Sequence, residues 1–448
     1  MEKFFKLKEH GTDVRTEVIA GITTFLAMAY ILAVNPNYLS IAGIPIGAAF
    51  SATAISAAIA TLCMAFLANY PVALASGMGL NAFFAFTVCG SMGYSYKVAL
   101  AAILVEGIIF MILSLFKFRE ALVNKIPTNL KFAITAGIGL FITIIALLNA
   151  GIVVSSPATT VALGNLGSAP VVLSLVGLLI IGVLQYRNVP GGILLGILIT
   201  WVLGMLAQLC GWYVVDVENG VYSVFPSFSA SSFALPLFCD FDFSLVTKNL
   251  PAFILIIFTF LYTDIFDTVG TLIGVAAKGN LLDENGELPK AGGALMADAI
   301  GTTVGAILGT STVTSYVESS AGVAAGGRTG LASVVTAILF LVSLVLAPLF
   351  TSIPSFATTP AMLYVGLLML TSVKNVTFDG DAADTIGAFL AIIMMPLTYS
   401  IANGIMFGML SWVILKVVTG KFKDVSAVMW ISVVFFAVFI GLKAAGLA

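Results

Sequence analysis

Stretches that are apolar enough and long enough to cross a bilayer follow one another along this chain from Thr16 to Thr419, and that recurrence leaves few folds open. A helix needs about 20 mostly apolar residues to traverse the hydrocarbon core. The alternating pattern of a transmembrane β-barrel is missing, so the spans read as helices. Composition agrees: 60% of the 448 residues are hydrophobic and 9% are charged, too little polar surface to wrap a water-soluble globule of this length. The expected fold class is an all-α polytopic membrane protein.

Proline, glycine and charge punctuate the apolar runs and place spans over 16–35, 47–68, 78–89, 95–116, 130–150, 171–187 and 190–210, then over 250–276, 291–308, 316–327, 329–350, 360–373, 383–398 and 401–419. These are about 14 transmembrane spans in two sets of seven. Seven is odd, so the second set crosses the membrane in the opposite sense, as an inverted repeat does. The sequence carries a faint echo of one. TTFLAMAY (Thr23 to Tyr30) resembles FTFLYTDI (Phe258 to Ile265), and the Gly/Ser-rich break at Val72 to Asn81 has a counterpart at Val313 to Gly322. The apolar stretch 426–442 is either a further span or a helix on the membrane face.

Lys and Arg accumulate on the cytoplasmic side of membrane proteins. With Lys3, Lys6, Lys8 and Arg15 inside, the loops that fall on the same side carry Lys117, Arg119, Lys125, Arg187, Lys278, Lys290, Lys374, Lys421 and Lys423. The opposite loops are uncharged (151–170 and 351–359) or, apart from Lys248, acidic (211–248, with Asp216, Glu218, Asp240 and Asp242). The first residues lack an apolar stretch ending in a small-residue cleavage site, so no cleaved signal peptide is expected. The expectation is a multi-pass plasma-membrane protein with a cytoplasmic N-terminus.

Several chemistries lack their parts. Cys63, Cys89, Cys210 and Cys239 have no metal-like spacing, and the one histidine, His10, precedes the first span. No metal and no cofactor are expected. A net charge of −2 without a basic tract gives no reason to expect nucleic acid. An intramembrane enzyme would show paired catalytic residues, and none are evident.

The polar residues inside the spans carry the functional reading. Asp264 sits midway along its span, where an ionised carboxylate costs about 2.5 kcal/mol or more unless it meets a partner or a cavity. Asp264, Asp267, Thr268 and Thr271 follow helical spacing and make one polar stripe. Ser, Thr and Gly interrupt the segment Gly309 to Gly330, and Val313 to Tyr316 has the character of an extended strand leading into a short helix with Glu318. Non-helical backbone at membrane depth must be buried in protein or line a cavity. The first half has its own break, Pro71 to Gly79, just before Asn81. Paired interruptions of this kind point to a transporter binding site between the halves. Asp298, on the preceding span, is read as site support or ligand. The aromatic rings Phe83, Phe84 and Tyr316 adjoin the breaks, while Arg328 and Lys290 read as snorkelling span ends. An acid-rich midplane without a basic partner suits a cation or a planar heterocycle with N–H donors better than an anion.

GITTFLAMAYILAVNP (Gly21 to Pro36), ASGMGLNAFFAF (Ala75 to Phe86), DIFDTVGTLIGV (Asp264 to Val275), GTSTVTSYVESSAGVAAGGRTGL (Gly309 to Leu331) and MMPLTYSIANGI (Met394 to Ile405) together resemble the AzgA-like purine permeases of the nucleobase:cation symporter superfamily, which share the uracil-transporter fold. The resemblance covers nearly the whole chain. It implies short β-like breaks in spans 3 and 10 and two domains. A core domain comprises 14–120 (spans 1–4) and 250–352 (spans 8–11); a gate domain comprises 121–212 (spans 5–7) and 358–445 (spans 12–14). It implies a homodimer in the lipid bilayer.

The resemblance further implies that the base is held by Asp264 and Glu318, with Asn81, Ala82 and Phe83 as the opposite wall and Tyr316 and Val317 beside it. Asp267 is implied as necessary for transport. With Asp298, Glu318 and Thr268 it makes the expected proton-coupling or supporting set. Asp264, where some relatives have Asn, would favour the N1–H donor of hypoxanthine or guanine over adenine. The expected function is proton-coupled import of a purine nucleobase by an elevator-like or rocking movement of core against gate. Burial disfavours a charged carboxylate, so a midplane acid can take up a proton. The alternatives are an anion transporter or channel of the same inverted-repeat fold and a sodium-coupled nucleobase symporter.

Overall fold

The computed structural model describes residues 2–115, 126–157, 159–215, 222–226, 233–279, 281 and 288–444. Lys117, Arg119, Lys125, Asp216 and Glu218 lie outside them, as does the side chain of Lys278. In chain order the helices are α1 (Val14–Met28), α2 (Ile31–Ile41), α3 (Ile46–Ala68), α4 (Met78–Ser91), α5 (Tyr96–Leu115), α6 (Thr128–Asn149), α7 (Ala169–Tyr186) and α8 (Gly192–Leu209). The second half supplies α9 (Leu250–Gly279), α10 (Ala291–Leu308), α11 (Ser319–Ala324), α12 (Gly330–Thr351), α13 (Ser355–Asn375), α14 (Ala382–Thr398), α15 (Ile401–Val418) and α16 (Ala427–Ala444). Strands β1 (Leu74–Ser76) and β4 (Val313–Ser315) precede α4 and α11; β2 (Val153–Ser156) and β3 (Thr160–Leu163) form a hairpin between α6 and α7.

Every expected span is present, with three adjustments. The first runs on to Ile41, turning at Ala29 and Tyr30 between α1 and α2, so that α1 and α2 make one 28-residue crossing. The tenth is, as expected, a strand followed by a short helix, here of six residues. The twelfth begins at Ser355, inside the expected loop 351–359. The loop 151–170 contains the β2–β3 hairpin, which the sequence reading did not anticipate. Among the described residues ten helices are long and apolar enough to cross a membrane; Met78–Ser91, Leu250–Ile265 and Ala382–Thr398 are shorter apolar segments. The stretch 426–442 is the helix α16, packed on α9 through Phe435 and Phe436 against Phe258 and through a 2.7 Å contact between the Tyr262 and Ser432 hydroxyls.

Two breaks from the two halves meet at the centre. β1 pairs antiparallel with β4 in the register Leu74–Ser315, Ala75–Thr314 and Ser76–Val313. A three-residue ladder has two open edges, and open edges are intolerable in hydrocarbon. A threonine closes each edge here. The Thr61 hydroxyl on α3 donates to Leu74 O (3.1 Å) and accepts from Leu74 N (2.9 Å). Thr302 on α10 treats Val313 identically, donating to its carbonyl (2.9 Å) and accepting from its amide (3.2 Å). The same device thus appears once in each half. α3 and α10 also end alike, with Asn69 and Gly309 in the left-handed conformation.

The helices fall into two packed sets. α1, α3, α5, α9, α10, α11 and α12 pack on one another, while α6, α7, α8, α13, α14 and α15 form the second set. In the second set the helices cross at glycines. A Cβ on Gly139 of α6 would come within 2.6 Å of Gly366 O and 2.7 Å of Leu370 N on α13, and Gly387 of α14 lies against Gly408 of α15 in the same manner. At one end of this set Lys416 is buried against Asp381 (2.6 Å), and the Lys416 and Lys421 hydrogen bonds hold the Asp381 carboxyl below the usual carboxylate range.

Glu17 ties the first set together. Its buried carboxylate accepts from the backbone amides of Arg328 (2.8 Å), Ala332 (3.1 Å) and Thr329 (3.4 Å), capping the start of α12 from α1. Glu17→Ala leaves these amides buried without an acceptor, a loss on the order of 3 kcal/mol. Thermal unfolding in detergent should show a lowered midpoint for Glu17→Ala and a smaller drop for Glu17→Gln, which keeps one acceptor oxygen. Equal midpoints for wild type and Glu17→Ala would remove the capping role.

Candidate substrate site

A cavity of 690 Å³ opens between the two sets of helices. One wall comes from the first set: Thr23 and Ala27 of α1, Asp267 and Thr271 of α9, then Val317, Glu318 and Ser320 around the start of α11. The other wall comes from Phe132 and Thr135 of α6, Gln185 to Ile193 between α7 and α8, and Tyr364 to Ser372 of α13. Among the described residues no lysine or arginine lines it. Its position beside Gln185, Asn188 and Ser372 puts its mouth on the side of the bundle that carries Lys131, Arg187 and Lys374.

Glu318 reaches the cavity because the chain stops being a strand just before it. β4 ends at Ser315, Tyr316 N bonds Ala73 O (3.0 Å), and the backbone turns into α11. Ser319 locks the turn by accepting from Ala73 N (3.0 Å). Tyr30, at the junction of α1 and α2, donates its phenol to Glu318 Oε1 at 2.6 Å and fixes that carboxylate. Asp267 stands on the adjoining wall and faces Gly77, whose Cβ, if present, would lie 3.6 Å from Oδ2.

Behind this wall lies a buried polar layer. The Thr268 hydroxyl is 2.9 Å from Asp298 Oδ1, 3.1 Å from Thr314 Oγ1 and 3.3 Å from Asp264 Oδ1. Two carboxylates from α9 and α10 therefore share one hydroxyl directly beneath the β1–β4 pair. Asn81 is fully buried; its Nδ2 donates to Ser76 O (3.4 Å), and its Oδ1 has no partner among the described residues. Tyr316 donates to the same Ser76 carbonyl. Phe83 meets Phe260 edge to face at 4.9 Å, and Ala82 is buried.

The residues singled out in the sequence thus form two layers. Glu318, Val317 and Asp267 line the cavity. Asp264, Thr268, Asp298, Asn81, Ala82, Phe83 and Tyr316 sit behind them, fully or nearly fully buried. The sequence reading missed Glu17 and also Glu106, a fully buried acid on α5. An acid deep in the apolar run LVEGIIF is the signal that marks Glu106.

Residues 15–407 match the model of the Xan_ur_permease family, described as a permease family. The chain belongs to that family. The permease is 45% identical over 437 residues to the putative permease MJ0326 of Methanocaldococcus jannaschii, covering 98% of this chain and 97% of that one. It is 44% identical to the guanine/hypoxanthine permease PbuG of Bacillus subtilis, covering 99% of this chain and 100% of the relative. To the adenine permease AdeP of Escherichia coli it is 42% identical, over 95% and 92% of the two chains. Among solved structures, the transmembrane domain of the cyanobacterial bicarbonate transporter BicA superposes with a TM-score of 0.64 at 15% identity, covering 87% of the permease and 97% of that domain. SLC26A9 superposes with a TM-score of 0.64 at 12% identity, covering 91% of the permease and 66% of that chain. These structures share the inverted-repeat fold, and the resemblance extends to the fold alone.

Proposed function

We propose that the permease carries purine nucleobases across the membrane, coupled to protons, by movement of one helix set against the other. The observation that carries this reading is the cavity between the sets, with the Glu318 and Asp267 carboxylates in its wall and, among the described residues, no basic side chain. A planar base with ring N–H donors finds acceptors there, whereas an anion would meet only acids. The relatives named for guanine/hypoxanthine and adenine transport, similar over nearly their full length, support the same class of substrate.

In this reading the first set belongs to the core domain expected over 14–120 and 250–352, and the second to the gate domain expected over 121–212 and 358–445. A ligand bound at Glu318 would touch both, so a change in their relative position would expose it to one side or the other. The cavity mouth lies on the side rich in Lys and Arg, which the positive-inside rule assigns to the cytoplasm. This arrangement is the inward-open one. Asp267, Asp298 and Glu318 are the acids through which a proton would travel with the base.

Uptake of radiolabelled hypoxanthine into cells lacking their own purine permeases tests the reading. Guanine in excess is expected to abolish uptake, uracil to leave it unchanged, and a protonophore to collapse it in sodium-free buffer. Asp264, which would favour an N1–H donor from its place behind Thr268, gives the finer expectation that Asp264→Asn shifts competition toward adenine. A well-expressed protein that moves no purine would end the substrate assignment; uptake that requires sodium would end proton coupling alone.

A further inference from the structure

Glu106 is a carboxylate that the substrate site does not use. It lies midway along α5, in the run LVEGIIF, with no solvent exposure. The neighbouring Gly107 explains how it is enclosed: a Cβ there would meet Thr303 N at 3.0 Å, so α5 and α10 touch at this point. An acid at this depth is costly to keep, and such residues persist where they do ionic or protonic work.

Its contact is informative. Thr312, just ahead of β4, donates its hydroxyl to Glu106 Oε2 at 3.3 Å. The carbonyl of Thr312 in turn accepts from Gly77 N at 3.0 Å, extending the β1–β4 crossing by one bond. Glu106 thereby grips the strand that sets Thr314 over Thr268 and delivers Glu318 to the cavity. A change in its charge acts on the site through that strand.

The surroundings make such a change consequential. α5 packs against α9, α10 and the later turns of α4. The titratable groups on these elements are Asp264, Asp267 and Tyr262 from α9, Asp298 from α10 and Cys89 from α4; Tyr262 is engaged with Ser432. Of the cations in these sequences, Lys97 opens α5 itself and is paired with Asp240 (2.7 Å), and Lys278 stands in the last turn of α9. Burial disfavours the charged form of each acid and nearby acids disfavour one another's ionisation, so proton occupancy at one is linked to the others.

We propose that Glu106 is a proton-linked positioning residue of the transport cycle. Its carboxylate takes a proton from water as the base is loaded, forming an O–H bond, and returns it to water as the base leaves. Thr312 relays the change from acceptor to acid along β4 to Glu318. The proposal rests on the purine reading above, and it assigns Glu106 no contact with the base.

Purified protein in liposomes distinguishes the possibilities, with labelled hypoxanthine measured both in equilibrium exchange and in accumulation driven by an imposed pH step. Glu106→Gln is expected to keep exchange within about threefold of wild type while losing most of the roughly tenfold accumulation that one coupled proton per pH unit can drive. Its exchange rate should also lose its dependence on pH, and Glu106→Asp should restore both properties in part. Wild-type accumulation and an unaltered pH profile in Glu106→Gln overturn the proposal. So does equal loss of exchange and accumulation in Glu106→Gln and Glu106→Asp proteins that remain monodisperse, because that pattern marks packing alone. Failure of the wild type to exchange any purine would instead bring down the substrate reading, and this proposal with it.

Discussion

Glu318→Gln is expected to reduce purine uptake by about 100-fold, or ~2.7 kcal/mol, the upper part of the range for a hydrogen bond to a charged group. The substitution is nearly isosteric, and the amide oxygen can still accept from Tyr30, whose phenol lies 2.6 Å from the carboxylate. The turn from β4 into α11 is held independently by Ser319 and Ala73, so the backbone should keep its course. The charge, the second strong acceptor and the capacity to titrate are what disappear. Binding of hypoxanthine by the purified variant should weaken in step with uptake, with an unchanged elution profile. Uptake within threefold of wild type would show that the base does not rest on Glu318.

Gly139→Leu is expected to have an effect of similar size, on folding rather than on binding. Its Cβ would press on Gly366 O and Leu370 N, both backbone atoms that cannot rotate aside. α6 and α13 would have to separate, and the glycine contact between Gly387 and Gly408 shows that close crossings recur in this helix set. Overpacking against backbone costs several kcal/mol at a site with no room to relax, and about a tenfold drop in monodisperse protein should follow. Gly139→Ala, with the first atom of the same clash, should fall between the two. Recovery of Gly139→Leu at wild-type yield and melting temperature would mean that the crossing is looser than its geometry indicates.

Much of the fold could be read in the sequence because a membrane removes alternatives. Apolar length identified the helices, and the odd number of spans in each half identified the inversion. The breaks at Val72 to Asn81 and Val313 to Gly322 stood out because Ser, Thr and Gly have no cause to cluster in a span unless backbone leaves the helix there. The strands at Leu74–Ser76 and Val313–Ser315 followed. The layering of the site did not. Asp264 and Asp267 share a helical stripe, yet Asp267 borders the cavity while Asp264 lies behind Thr268, and helical spacing cannot separate positions on one face by depth.

Other features were hidden for different reasons. Glu17 sits near the start of its helix, where an acid reads as an interfacial residue, and its role depends on amides more than three hundred positions away. Thr61 and Thr302 look like ordinary helical threonines, which usually bond their own backbone, so nothing local marks them as edge closures. The β2–β3 hairpin lies in VVSSPATTVAL, where serine, proline and threonine blur the alternation of a strand. Glu106 was legible by the rule that singled out Asp264, and it differs in lacking polar neighbours along its own helix.

The ladder of β1 and β4 bears on how such a chain could arise. Each half contributes one strand and one threonine, Thr61 or Thr302, that seals that strand's outer edge. A protein built from one half alone would seal one side and leave the other unpaired in lipid, at a cost of several kcal/mol for each exposed backbone group. It could satisfy those groups by meeting a second copy of itself inserted upside down. Gene fusion would then fix a partnership that a single gene could sustain only by entering the membrane both ways up.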